Sequence, residues 1–266
     1  MRRFILVVVV AALFIPANSQ SMNTDDETLA KLRGLYDAPF TRSLVSFTCD
    51  VQFDWNMNFV QTLGAVPPSA LPTIERLQAA HHRVFVDRSG ATISQGPRPG
   101  DLSGAAHAAD LENALQAVIT SGLNEWLPVA MNEILPVRPT RFTMQRFDNG
   151  AKLVMNGTGV AATIMLLPDM RIVHVSGVLP QPFHFSTEFI SGPNGYLLQS
   201  VKTGSGSTED GSWDSSFGYQ YRNVSGFQIP GEVSVTQQAT GEKWDYSLDD
   251  CKTMTGVSLQ VQAPKH

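Results

Sequence analysis

The sequence predicts an α+β fold that is mainly antiparallel β. Three observations carry this reading: one unusually long stretch that alternates apolar and polar residues, a second half punctuated by tight turns, and a helical stretch between them. The background composition is that of a globular chain. Of 266 residues, 42% are hydrophobic and 16% charged, and 24 acidic against 19 basic side chains give a formal charge of −5. That is too apolar for a disordered chain. The two signs are interspersed and the balance is acidic, so no basic face exists to displace the counterions of a nucleic acid.

The N-terminus speaks to compartment. Arg2 and Arg3 precede the apolar run Phe4 to Ile15, and Pro16-Ala17-Asn18-Ser19 supplies small residues where a signal peptidase cuts. Residues 1–19 therefore read as a Sec signal peptide cleaved after Ser19, and residues 20–266 as one domain, periplasmic or secreted. The rival reading, a membrane anchor, fails on length: a run this short reaches roughly 18 Å at about 1.5 Å per residue, against a hydrocarbon core of about 30 Å. No later run is long enough to span, so no stable membrane span is expected. In an oxidising compartment Cys49 and Cys251, the two cysteines of the chain, are expected to form a disulfide that ties the first strand to the last.

Each element follows in order. Thr24-Asp25-Asp26-Glu27 is a capping box, and Leu29, Leu32, Leu35 and Tyr36 form one stripe of a short helix that Pro39 stops. Val45, Phe47, Cys49, Val51, Phe53, Trp55, Met57 and Phe59 are then apolar at every odd position with polar residues between them, which predicts one strand of roughly 50 Å. Strands of that length curve or belong to barrel-like sheets. Between Pro67 and Pro139 lies a helical insertion. Ile74, Leu77 and His81 share a helix face, and Arg83–Val86 and Ala91–Ser94 flank the hairpin loop Asp87-Arg88-Ser89-Gly90. The helical run from Leu111 to Leu135 is expected to break at Gly122 and kink at Pro128. From Thr140 onward, turns at Asp148-Asn149-Gly150, Pro168-Asp169, Gly192–Gly195 and Ala239–Glu242 divide an antiparallel meander, and Thr203 to Ser212 reads as a polar loop.

Candidate chemistry is thin. Gly157-Thr158-Gly159-Val160-Ala161-Ala162 fits GxGxxA, but a β-branched run follows it instead of an amphipathic helix, so the glycines read as a turn or bulge and no dinucleotide cofactor is expected. No CxxC, HxxxH or HExxH spacing points to a metal, and no GxSxG or SxxK pattern points to a nucleophile. His81 and His82 read as a surface pair, and His107, His174 and His184 as isolated. The carboxylates Asp249 and Asp250 are chain neighbours that a strand sends to opposite faces. What remains is the apolar face of the long strand, either plain core or the lining of a cavity for acyl chains: Val45, Phe47, Val51, Phe53, Trp55, Met57 and Phe59.

The order of parts, and the phrases Tyr219-Gln220-Tyr221-Arg222-Asn223-Val224-Ser225-Gly226-Phe227 through Gln228-Ile229-Pro230-Gly231-Glu232-Val233 and Trp244-Asp245-Tyr246-Ser247-Leu248-Asp249-Asp250-Cys251, with Gly195-Tyr196-Leu197-Leu198 before them, resemble the LolA/LolB-like proteins of outer-membrane lipoprotein sorting. The resemblance implies an unclosed half β-barrel with helices covering its concave face. It also implies a soluble, non-enzymatic carrier whose partners are lipid or lipoprotein acyl chains. Other readings are an envelope interaction protein with the same fold and a filled core, engaging envelope protein partners, or a periplasmic hydrolase.

Overall fold

The computed structural model describes residues 26–53, 82–95, 108–135, 141–157, 160–179, 181–205 and 213–256. The expected leader, Thr24, Trp55, Met57, Phe59, the helix expected over Ile74–His81, His107 and residues 206–212 lie outside that set. In chain order the elements are α1 (Asp26–Arg33), a 3-10 turn (Pro39–Thr41), β1 (Leu44–Phe53), β2 (His82–Asp87), β3 (Gly90–Gln95), α2 (Ala108–Ala130), β4 (Arg141–Phe147), β5 (Gly150–Gly157), β6 (Val160–Leu166), β7 (Ile172–Leu179), β8 (Gln181–Gly192), β9 (Gly195–Ser205), β10 (Ser215–Val224), β11 (Phe227–Gln237) and β12 (Glu242–Thr255).

All twelve strands form one sheet in the order β3-β2-β1-β12-β11-β10-β9-β8-β7-β6-β5-β4. Every pairing is antiparallel, and β4 to β12 run as a continuous meander through the expected turns. The two edges are β3 and β4, so the sheet is an unclosed half-barrel. Those edges are consecutive strands in the chain, and the segment joining them carries α2. At about 1.5 Å per residue its 23 residues extend about 34 Å, so the helix runs as a strap across the open side of the sheet, packed mainly on β3, β9 and β11.

The first strand sits beside the last. β1 pairs with β12 on one side and β2 on the other, and a disulfide joins Cys49 to Cys251 across the first of these seams, with the Cα atoms 4.1 Å apart. It sits where the register slips: Thr48 faces Lys252 but Asp50 faces Asp249, and Asp250 takes up the extra residue in the left-handed region at φ 46°.

Four expectations need correction. The helix after the capping box ends at Arg33 rather than at Pro39, because the Leu35 carbonyl and the Asp37 amide turn to pair with Tyr196. Gly195 makes this approach feasible, since a Cβ there would lie 2.6 Å from the Leu35 oxygen. The long helix does not break at Gly122 but runs continuously from Ala108 to Ala130. The glycine is there for proximity: a Cβ at Gly122 would meet the Tyr246 hydroxyl at 2.6 Å and Val233 at 3.0 Å. Strict alternation in β1 holds from Phe47 to Phe53 but fails before it, because a bulge at Val45 leaves Leu44 and Ser46 buried and Val45 44% exposed. His82 is no surface residue; it opens β2 and is buried. The GxGxxA segment joins β5 to β6 as a hairpin, Gly157 paired with Val160, which is not the strand-to-helix turn of a dinucleotide site.

Candidate functional site

The face of the sheet under α2 is identified by the side chains that meet the helix: Tyr246, Val233 and Val235 approach Gly122. Register carries that face across the strands, and it divides into two halves.

Over β1 and β9 to β12 the space is filled. Trp126 of α2 lies with its ring centroid 6.2 Å from Phe40 and 6.0 Å from Phe47, and all three are essentially solvent-free. Two tyrosines fasten the helix from below: Tyr219 Oη donates to the Gly122 carbonyl at 2.9 Å and Tyr246 Oη to the Ile119 carbonyl at 3.0 Å. Burial holds both phenols far above the ordinary tyrosine range, so they stay donors at any working pH. Of the lining read from the sequence, Phe47 and Val51 are buried in this half, Val45 is on the opposite side at its bulge, and half-buried Phe53 stacks on Tyr246 at 6.5 Å, where the described part of the strand ends. Beside Tyr219, the carboxyl of Glu125 on α2 is half-buried, and desolvation raises its pKa above the usual glutamate value.

Over β4 to β8 the same face is an apolar shelf. One cross-strand row reads Met144, Leu153, Ile164, Val175, Phe185, and the next reads Phe142, Met155, Ala162, Gly177, Phe183. The middles of the rows are buried, while Met144, Phe183 and Phe185 remain partly open at their ends. At about 4.8 Å between strands, each row extends about 19 Å. The small pair Ala162 and Gly177 leaves a depression over which the Phe183 ring leans; a Cβ at Gly177 would sit 2.9 Å from it. Neither row carries a hydroxyl, amide or charge, so the shelf can hold only apolar groups.

The sequence did not reveal the shelf, because its members look unremarkable until five strands are put in register. The far side of β7 and β8 holds a further surprise: His174 and His184, read as isolated, come within 6.3 Å of each other under Trp213, and burial together with the charge of His184 lowers the His174 pKa. The pairing of β7 with β8 brings them together, with His174 facing Ser186 and His184 facing Ser176. Among the described residues no set of three or more His, Cys, Asp or Glu converges to hold a metal, and no helix is long and apolar enough to cross a membrane.

No family model and no curated protein matches the chain. Among solved structures it is similar to an outer membrane lipoprotein-sorting protein domain from Vibrio parahaemolyticus, with 9% identity, a TM-score of 0.24, and coverage of 89% of this chain and 94% of that one. It is likewise similar to a LolA superfamily protein from Nitrosomonas europaea, with 8% identity, a TM-score of 0.25, and coverage of 87% and 94%. The first is named for lipoprotein sorting and the second for the LolA superfamily. Identity and superposition this low transfer no residue role and no activity to this chain.

Proposed function

We propose that this protein is an exported, non-enzymatic carrier that holds an acyl chain or a similar apolar ligand between the shelf of β4 to β8 and the helical strap. The observation that carries the reading is the pair of apolar rows: they continue the covered face of an unclosed sheet, contain no polar group, and end in partly open Met and Phe side chains. Their length of about 19 Å suits an extended lipid chain. In this reading Phe53 forms the opposite wall of the site, the sequence pattern continues that apolar face to Trp55, Met57 and Phe59, and Phe47 and Val51 brace the wall from the core. The disulfide supports export, since such bonds persist in oxidising compartments. The partners are lipids or lipoprotein acyl chains.

The test is native mass spectrometry of the oxidised protein, purified from a periplasm and then incubated with phospholipid or a diacylated lipopeptide. A bound adduct that disappears in Met144→Glu and Phe185→Asp, both at partly open positions, is the expected result. A bare polypeptide mass under all these conditions would instead mean a filled core and an interaction protein. Loss of the adduct in Trp55→Asp alone would move the site to the long first strand.

A further inference from the structure

The side of the sheet facing away from α2 carries a second, chemically opposite feature. A trough of about 790 Å³ crosses β8, β9, β10, β11, β12 and the end of β1. Its floor is one register row, Glu188, Ser200, Gly218, Ser234 and Asp245, in which three very small residues lie between two carboxylates. Four strand spacings make that row about 19 Å long. Because Tyr219, Val233 and Tyr246 send their side chains toward α2, they present only main chain to the trough, and the floor stays flat.

The trough's hydrogen-bonding groups divide by availability. The two carboxylates of the floor row have partners: Glu188 accepts from Ser200 at 2.9 Å, and Asp245 lies 3.3 Å from the Lys243 ammonium. The carboxamides of Gln52, Gln199 and Gln220 and the Ser234 hydroxyl make no hydrogen bond among the described residues. The Ser234 hydroxyl leans over Gly218, where a Cβ would sit 2.6 Å from it. The groups left for a ligand are therefore three carboxamides and a hydroxyl, which both donate and accept, and the Glu232 carboxylate between Ser247 and Gln220, which accepts; together they match vicinal hydroxyls and disfavour phosphate. The volume falls in the range of small-molecule sites.

We infer that this trough is a binding site for a short uncharged oligosaccharide, lying across the strands with its hydroxyls toward Gln52, Gln220 and Ser234. It is independent of the apolar shelf, which lies on the other face of the sheet. Nothing in the geometry calls for sugar chemistry beyond binding.

The experiment is saturation-transfer NMR and calorimetry on the full oxidised protein with N-acetylglucosamine tetramer, glucose tetramer and spermine as probes. Saturable binding of a tetramer is expected, weakened at least tenfold by Gln52→Ala combined with Gln220→Ala and abolished by Ser234→Tyr, which fills the trough, at unchanged melting temperature. The double glutamine variant changes solvent-facing positions alone and so reads binding even if Ser234→Tyr folds poorly. Failure of both tetramers to bind at millimolar concentration overturns the assignment. So does binding that ignores the glutamine changes. Spermine binding lost in Glu232→Gln would reassign the trough to cations and overturn it equally.

Discussion

The two halves of the helix-facing surface belong to one sheet yet are built on different rules. Over β1 and β9 to β12, large rings carry polar tips: Tyr219 and Tyr246 reach specific helix carbonyls, Trp126 is wedged between Phe40 and Phe47, and a disulfide closes the nearby seam. Along the two rows over β4 to β8 the residues are Met, Leu, Ile, Val, Phe, Ala and Gly, and none of their side chains makes a directional contact. Directional contacts set where the strap lies. A surface that lacks them accepts whatever apolar group covers it, because area burial has no preferred orientation. The strap is anchored at the half that carries those contacts.

That contrast can be broken by experiment. The largest effect is expected from the disulfide: Cys49→Ser with Cys251→Ser frees a loop of 202 residues, and urea unfolding should show a loss approaching 5 kcal/mol. Trp126→Ala should cost about 3–5 kcal/mol by opening a cavity among Phe40 and Phe47, whereas Met144→Ala on the shelf should cost about 1 kcal/mol or less in the same assay. Equal losses at the two sites would mean that the shelf is ordinary core and would end the distinction. Tyr246→Phe removes one hydrogen bond to the Ile119 carbonyl, an expected loss of about 1 kcal/mol, accompanied by faster hydrogen exchange in α2.

The smallest effect sharpens the boundary between the halves. Burial raises the Glu125 pKa, so the folded state binds more protons than the unfolded chain between the ordinary glutamate range and the raised value. Stability is fully present below the ordinary range and falls as pH rises through the folded pKa. Glu125→Gln should therefore raise Tm by a few degrees at pH 7, with the gain vanishing toward pH 4. A gain that is the same at both pH values would place the carboxyl in water.

Local chemistry was legible and cross-strand chemistry was not. Turns such as Asp148-Asn149-Gly150 and Asp87–Gly90 announce themselves because their residues favour the turn backbone, and the single possible cysteine pairing followed from there being two. Gly122 misled because its purpose is the Tyr246 hydroxyl, a neighbour distant in sequence, and a glycine that makes room looks the same as one that ends a helix. Val45 misled because a bulge shifts every residue before it to the other face. The shelf and the polar trough are rows perpendicular to the chain, visible only once the register of at least five strands is known.

The adjacency of β1 and β12 carries a consequence for how the molecule comes into being. A chain made N-terminus first produces β1 early, and for most of synthesis that strand has only the small β2–β3 hairpin beside it. The central seam waits for residues 242–255, the last strand of the sheet. Contacts of that separation are slow to form, and an edge left open meanwhile recruits other chains. Losing the final strand would therefore cost far more than one strand's contacts, since it would split the half-barrel into two orphaned pieces. A circular permutant that begins at β12 and runs directly into β1 would turn the slowest contact of the fold into one of its quickest.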